Sequence, residues 1–266
     1  METKKSTSKA VFSALVIPVA FCISILVYIF IFGDGSHFQD FNHNLAPNPG
    51  DFFGTIYKGG VIVPILLTLL LTVMTFSFER FFIINKAAGK GKVVSFVQEI
   101  KELLNANKIS EAKALCLEQR GSVANVVISS LTKYEQLESD VQMSKEQKLV
   151  AIQKDVEEST ALELPSLEEN LGILATISSV STLLGLLGTV IGMIKAFSAM
   201  SAAGAPDSTK LATGISEALI NTALGIGTAA IAIIVYNFFT TKIDKLTHSI
   251  DEAGYSIVQS YGANHK

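Results

Sequence analysis

The sequence predicts an all-α membrane protein of four transmembrane helices with a cytoplasmic helical extension. Three observations carry this. Four apolar stretches, at residues 10–32, 60–84, 171–200 and 211–239, each reach the roughly 20 residues that a helix needs to cross about 30 Å of hydrocarbon. Charged residues make up only 17% of the 266, and mean hydropathy is positive at +0.43. The region between the second and third stretches shows helical periodicity and no β-type alternation.

Composition also excludes several classes. A net charge of −3 makes no case for nucleic-acid binding. Cys22 falls in an apolar span and Cys116 in a charged region, so neither a disulfide nor a thiolate metal site is expected. Of the histidines, His37 and His43 flank Asp40 in a loop, while His248 and His265 stand apart. A solvated loop accounts for that cluster as well as a metal would, and no metal or cofactor is expected. There is no Gly-rich phosphate loop, no Ser/His/Asp set and no carboxylate pair with a pocket, hence no basis for an enzyme active site.

Residues 1–9 form a basic N-terminus. The first helix, 10–32, exceeds the apolar length of a signal peptide and lacks a close small-x-small cleavage site, so it reads as a retained anchor. Residues 33–59 are rich in Gly, Asn, Asp, Pro and Phe and read as turns and loosely packed chain. The second helix, 60–84, carries Pro64 in its first turns, where a missing N–H is tolerated. Glu79 and Arg80 read as a solvated helix end.

In residues 85–170, Val93, Phe96, Val97, Ile100, Leu103 and Leu104 fit one amphipathic helix. Ser110 is placed to cap the next, with Ala112, Leu115 and Cys116 inside, and 123–131 reads as another. Ser144 and Gln147 resemble a capping box that opens a helix through Leu164, and Pro165 marks a kink before the third span. The charged run 135–158 reads as a solvated face. Apolar groups look too few for a self-sufficient core, so a bundle packed on copies of itself is expected.

The third and fourth helices, 171–200 and 211–239, each run close to 30 residues, about 43 Å at the α-helical rise, and should protrude from the bilayer. Residues 201–210 join them, and 240–266 form a tail. Lys4, Lys5 and Lys9, then Lys86, Lys90, Lys92 and Lys101, then Lys154, Lys242 and Lys245 all fall on one side; the alternate loops hold only Lys58 and Lys210. The positive-inside rule places both termini and residues 85–170 in the cytoplasm, and 33–59 and 201–210 outside. Lys195, near the outer end of the third span, is expected to snorkel.

The last two spans concentrate their small and hydroxyl residues. Ser178, Thr182, Gly185, Thr189, Gly192 and Ala196 recur at steps of three and four, as do Ala218, Thr222, Gly225, Ala229 and Ala232. Residues so spaced share a helix face, and a helix that only dissolved in lipid would have no reason for such a seam. Gly185, Gly188, Gly192 and Gly225 each cost about 1 kcal/mol of helix propensity relative to Ala, which points to close helix packing. The hydroxyls of Thr189 and Thr222 can hold water or a protonated carboxyl, or simply bond back to their own helix. Glu217 is the only acidic residue in these stretches, and Asn221, one turn on, is placed to orient it.

These motifs resemble the MotA/TolQ/ExbB proton channel family. Residues 183–194, LLGLLGTVIGMI, followed by Ala196-Phe197, resemble its LLGLLGTV-x-GMI-x-AF segment. Residues 214–226, GISEALINTALGI, then Tyr236-Asn237, resemble its GI-x-EAL-x-x-TA-x-GL…YN segment. Ala112, Leu115-Cys116 and Glu168-Glu169-Asn170-Leu171 also fit, and the likeness covers roughly residues 60–245, closest to the ExbB and TolQ types. Three departures stand out. Ser181-Thr182 replace the family's Ala-Pro, Ala230-Ile231-Ala232 replace Ile-Pro-Ala, and the first span has no counterpart in three-span members. Losing both prolines should leave straighter helices.

The resemblance implies a homo-oligomeric ring, a pentamer, in the bacterial inner membrane, with residues 33–59 and 201–210 periplasmic. The ring would surround the helices of an ExbD- or TolR-type single-pass partner that carries a membrane Asp, with a TonB-type protein beyond it. It would pass protons along a path that Thr189, Thr222 and Thr182 line, with Glu217 and Asn221 in that path or in ring assembly. An ExbB-like role in outer-membrane transport, a TolQ-like role in envelope integrity and division, and a passive helical scaffold without an ion path all stay open here. A secondary transporter fits less well, because no internal repeat or paired broken helix is present.

Overall fold

The computed structural model describes residues 2–42, 45–201 and 208–264. Nine α-helices occupy them, named in chain order: α1 Glu2–Leu26, α2 Phe52–Tyr57, α3 Ile62–Ala87, α4 Val93–Asn105, α5 Ile109–Gln119, α6 Gly121–Glu138, α7 Lys145–Glu168, α8 Leu171–Ser201 and α9 Ser208–Asn264. Among the described residues, four helices are long and apolar enough to cross a membrane: Ala14–Phe32, α3, α8 and α9. The fourth is longer than the apolar stretch alone implies, because the tail continues it without a break to Asn264. The chain divides into two compact units, Met1–Phe78 with Gly172–Tyr236, and Glu79–Leu171 with Asn237–Lys266.

In the first unit, α1 ends in a π-helical turn, Val27–Phe32. Val63, Leu66, Val73 and Phe76 form the buried side of α3, together with Thr68 and Thr72, whose hydroxyls donate to Pro64 O at 2.7 Å and Thr68 O at 2.8 Å. Leu183, Leu187, Val190, Ile194 and Phe197 of α8 and Leu219, Ile226 and Ile234 of α9 are exposed, as befits helices bathed in lipid or covered by further helices.

The described residues of 33–59 are better packed than their composition suggested. Phe38 is only 2% exposed, Phe32 and Ile56 are buried with Val63, and Tyr28 stacks on Tyr57 with ring centroids 4.7 Å apart. Aromatic side chains among the turn residues supply enough apolar area to bind the segment down. Asp51 caps α2 by accepting from Gly54 N at 2.8 Å and pairs with His37 Nδ1 at 2.9 Å; the backbone N–H first, and then the imidazole, holds its carboxyl below the usual range. His37 is therefore engaged with Asp51 and not with Asp40. Among the described residues no group of three metal-type ligands exists. His43, His265 and residues 202–207 of the short connection lie outside the described residues.

The second unit corrects four expectations. The first concerns its core. The tail helix presents Ile243, Leu246, Ile250, Ala253, Ile257 and Tyr261 at steps of three and four, all buried, in a core that includes Phe96, Ile100 and Leu104 of α4 and Leu131 and Tyr134 of α6. Ser260 Oγ donates to Leu104 O at 3.0 Å, and the Tyr134 and Tyr261 rings meet edge-on at 4.7 Å. Residues 85–170 are short of apolar groups only when counted without the tail.

Second, Arg80 is not at a solvated end. It is 0% exposed; its Nε donates to Glu79 Oε2 at 2.9 Å and its Nη1 to Ser166 O and Leu167 O at 3.3 and 3.4 Å. Asn170 Nδ2 also donates to Glu79, at 3.1 Å. A guanidinium survives burial here because a carboxylate and the final carbonyls of α7 take its protons.

Third, α5 starts at Ile109 with Lys108 at its N-cap, so Ser110 already lies inside the helix. The left-handed Asn107 (φ 54°) follows α4, and Ala112 N already donates to Lys108 O at 3.1 Å, which makes Lys108 the first residue of the next turn. Fourth, α7 runs past Pro165 to Glu168, and the break comes at Asn170, whose φ is 64°. The Ser144–Gln147 capping box that opens α7 is present.

Candidate functional site

The site lies in the first unit, where α8 meets α9. Glycines make the approach possible. A Cβ added at Gly225 would lie 2.5 Å from Ser181 O and 2.8 Å from Gly185 Cα; one at Gly192 would lie 2.7 Å from Gly214 O. One at Gly188 would lie 2.4 Å from Asn221 Cβ. The two small-residue seams thus pack backbone to backbone, and any larger side chain would force the helices apart.

This contact brings Thr189 and Thr222 together. Their hydroxyl oxygens face each other in hydrogen-bond contact. Thr189 also donates to Gly185 O at 3.3 Å and Thr222 to Ala218 O at 3.2 Å, so two hydroxyls sit among two carbonyls. Both residues remain half-buried. Thr189 borders an open hollow of about 640 Å³ along α8 with Val190, Met193 and Phe197. Thr182 lies on the same seam but apart from the pair, and its hydroxyl donates one turn back to Ser178 O at 3.3 Å.

Glu217 is 8% exposed, and its Oε1 accepts from Lys195 Nζ at 2.6 Å. Lys195 therefore reaches across to α9 instead of snorkelling to headgroups. Its side chain stays 53% exposed, so the pair is half wet. The turn before α3 covers the carboxylate from another side. Gly60 has φ 77°, and a Cβ there would lie 2.5 Å from Glu217 Oε1. Only glycine combines that backbone angle with that approach.

Asn221 does not orient Glu217. It is fully buried, and its Nδ2 donates to Gly59 O at 2.8 Å. Its Oδ1 is buried without a hydrogen-bond partner among the described residues. An orphaned carbonyl of this kind costs about 1–3 kcal/mol.

The helix contact therefore unites Thr189 with Thr222 and Glu217 with Lys195, seats Asn221 on Gly59 and Gly188, and leaves Thr182 outside. The residues that sequence reasoning missed are Lys195 as a carboxylate partner and the Gly59–Gly60 turn as a cover. A signal for the first was available. Lys195 lies about two turns before the 202–207 connection and Glu217 nearly three turns after it, so an antiparallel helix pair sets them within about a turn of each other, in reach of a lysine side chain. Chemically, a carboxylate, an ammonium and two facing hydroxyls in an apolar surround are groups that can accept, hold and return a proton or hydrogen-bond a neutral acid.

Comparison with known proteins gives a consistent result. Residues 124–252 match the model of the MotA/TolQ/ExbB proton channel family. The chain is similar to the Tol-Pal system protein TolQ of Haemophilus influenzae, 37% identical over 84 residues, which is 32% of this chain and 37% of that protein. It is similar to the biopolymer transport protein ExbB of Pseudomonas putida, 26% identical over 160 residues, which is 60% of this chain and 48% of that protein. With the TolQ of Pseudomonas aeruginosa it shares 23% identity over 207 residues, 76% of this chain and 90% of that protein. The matched segment spans well under two thirds of the first two relatives.

Proposed function

Because this chain belongs to the MotA/TolQ/ExbB proton channel family, we propose that it is the ring-forming, stator-type subunit of a proton-driven complex in the bacterial inner membrane, ExbB-like, and that it works with an ExbD-type single-pass protein. One observation carries the reading. The last two spans hold facing hydroxyls at Thr189 and Thr222, and Glu217 is the only carboxylate of their apolar stretches. A proton crossing lipid needs an ionisable group or a water path, and one carboxylate near the end of a span makes a poor relay by itself. The missing acid is the membrane Asp of the partner, and Thr189 and Thr222 line its path. Glu217 acts in that path or in ring assembly, with Asn221 holding the cover beside it. The driving force suffices, since each charge that crosses 100 mV releases about 2.3 kcal/mol.

The test is proton flux in vesicles that contain the chain with and without its partner. Flux is expected only with both. Thr189→Val combined with Thr222→Val is expected to lower it at least tenfold while the complex still assembles. Unchanged flux in that double variant would sink the pore assignment. Glu217→Gln separates an energised complex, which loses function, from a passive scaffold, which tolerates the change.

A TolQ-like role in envelope integrity is the second reading, favoured by the likeness to two TolQ proteins. Complementation decides between the two: rescue of a strain lacking TolQ, but not of one lacking ExbB, would select it.

A further inference from the structure

Tyr28, near the end of the first span, is tied to the backbone that covers Glu217. The span finishes in the π-helical turn Val27–Phe32, a form frequent at functional sites, which Gly33 N closes by donating to Tyr28 O at 2.9 Å. Half-buried Tyr28 lies face to face with Tyr57, and its hydroxyl donates to Tyr57 O at 2.9 Å. Gly33 makes room for this, since a Cβ there would lie 2.7 Å from Tyr57 Cε2. Both tyrosines pack, with Leu224 of α9, against a core of Phe32, Ile56 and Val63.

Tyr57 O is also the carbonyl that closes the covering turn, because it accepts from Gly60 N at 3.2 Å. Gly60 is the residue pressed on the carboxylate, where a Cβ would lie 2.5 Å from Glu217 Oε1. Between them, buried Gly59 accepts from Asn221 Nδ2 at 2.8 Å. The turn is thus held at two carbonyls, by Tyr28 from the first span and by Asn221 from α9. A phenylalanine at position 28 could stack on Tyr57 just as well, so the hydroxyl's contribution is to the placement of the Tyr57 carbonyl. We propose that Tyr28 is a positioning residue for Glu217: its hydroxyl, bonded to Tyr57 O, holds the Gly59–Gly60 turn over the carboxylate and limits the access of water to it. The consequence for ion flow rests on the reading of Glu217 as part of the ion path; the cover itself does not.

The full chain, purified in a neutral detergent, tests this through the reaction of Glu217 with a water-soluble carbodiimide and glycine ethyl ester. Peptide mass spectrometry gives the rate, counting any amide formed at Glu217, including one to Lys195. Tyr28→Phe keeps the stacked ring and removes the donor. Glu217 is then expected to react roughly three- to tenfold faster, the range that follows from losing one neutral hydrogen bond. Exposed Glu118 is the reference and should keep its wild-type rate. Val16→Ala separates positioning from stability, since it trims a buried side chain of the same span about three turns before Tyr28. Its melting temperature should fall while Glu217 reacts as in wild type. A wild-type Glu217 rate in Tyr28→Phe overturns the proposal, as does an equal acceleration in Val16→Ala. The labelling needs neither partner nor flux, so its failure leaves the ion-path reading untouched, and failure of that reading leaves the cover in place.

Discussion

Lys195 and Arg80 show how much a charged residue's role depends on what it meets. Lys195 holds the buried Glu217, and its removal leaves that carboxylate facing the Gly60 turn alone. Lys195→Met is expected to destabilise the first unit by about 1–2 kcal/mol, read as a lower melting temperature in detergent, with Lys195→Arg close to wild type. The loss is modest because the ammonium is half exposed. Arg80 has no such relief. Arg80→Met leaves the buried side of Glu79 with Asn170 Nδ2 in place of a cation and takes the guanidinium from the carbonyls of Ser166 and Leu167. A loss of about 3–5 kcal/mol is expected, measured by urea titration of helical circular dichroism, with failure of Arg80→Lys to restore it. The role of Arg80 was not legible along the chain, and that of Lys195 only through its distance from the 202–207 connection. A lysine or arginine near the end of an apolar span suits snorkelling and pairing equally, and only the facing helix decides.

For the helices, periodicity was a good guide to which faces are special and a poor one to what they face. The small-residue seams of α8 and α9 stand out in the sequence at steps of three and four, and the structure presses them on each other at Gly185, Gly192 and Gly225. Gly225→Leu should push the helices apart, because even a Cβ there comes within 2.5 Å of Ser181 O. Loss of the monodisperse peak in size-exclusion chromatography is the expected outcome, with Gly227→Leu as the control, since a Cβ at Gly227 meets nothing within 4 Å. The tail of α9 teaches the opposite lesson. Its buried stripe from Ile243 to Tyr261 looks like an ordinary amphipathic helix until it completes the core around α4 and α6. Truncation after residue 239 removes six buried apolar side chains, Ile243 to Tyr261, from that core. Residues 93–168 of the truncated chain are expected to become open to limited proteolysis within minutes, while wild type resists.

For the molecule as a whole, the proposal is assembly with copies of itself around a partner. The exposed apolar faces of α8 and α9, Leu183, Leu187, Val190 and Leu219 among them, are available for lipid or for neighbouring subunits. Co-expression with an ExbD- or TolR-type protein followed by native mass spectrometry should give five copies of this chain per complex. A monomer, or a complex unaffected by the partner, would count against the ring. A single cysteine placed at Thr189, or at Thr222, should cross-link to the partner's membrane helix.

Four spans, a helical extension, an apolar character and the family motifs could all be read along the chain, because composition and period are local properties that each segment carries alone. The partners of Arg80 and Asn221, the packing of residues 33–59 and the use of the tail could not. Each depends on which surfaces meet across tens or hundreds of residues, and a helix face looks the same in sequence whether lipid, water or another helix covers it. Burial and pairing are properties of contacts, and contacts exist only once the chain has folded.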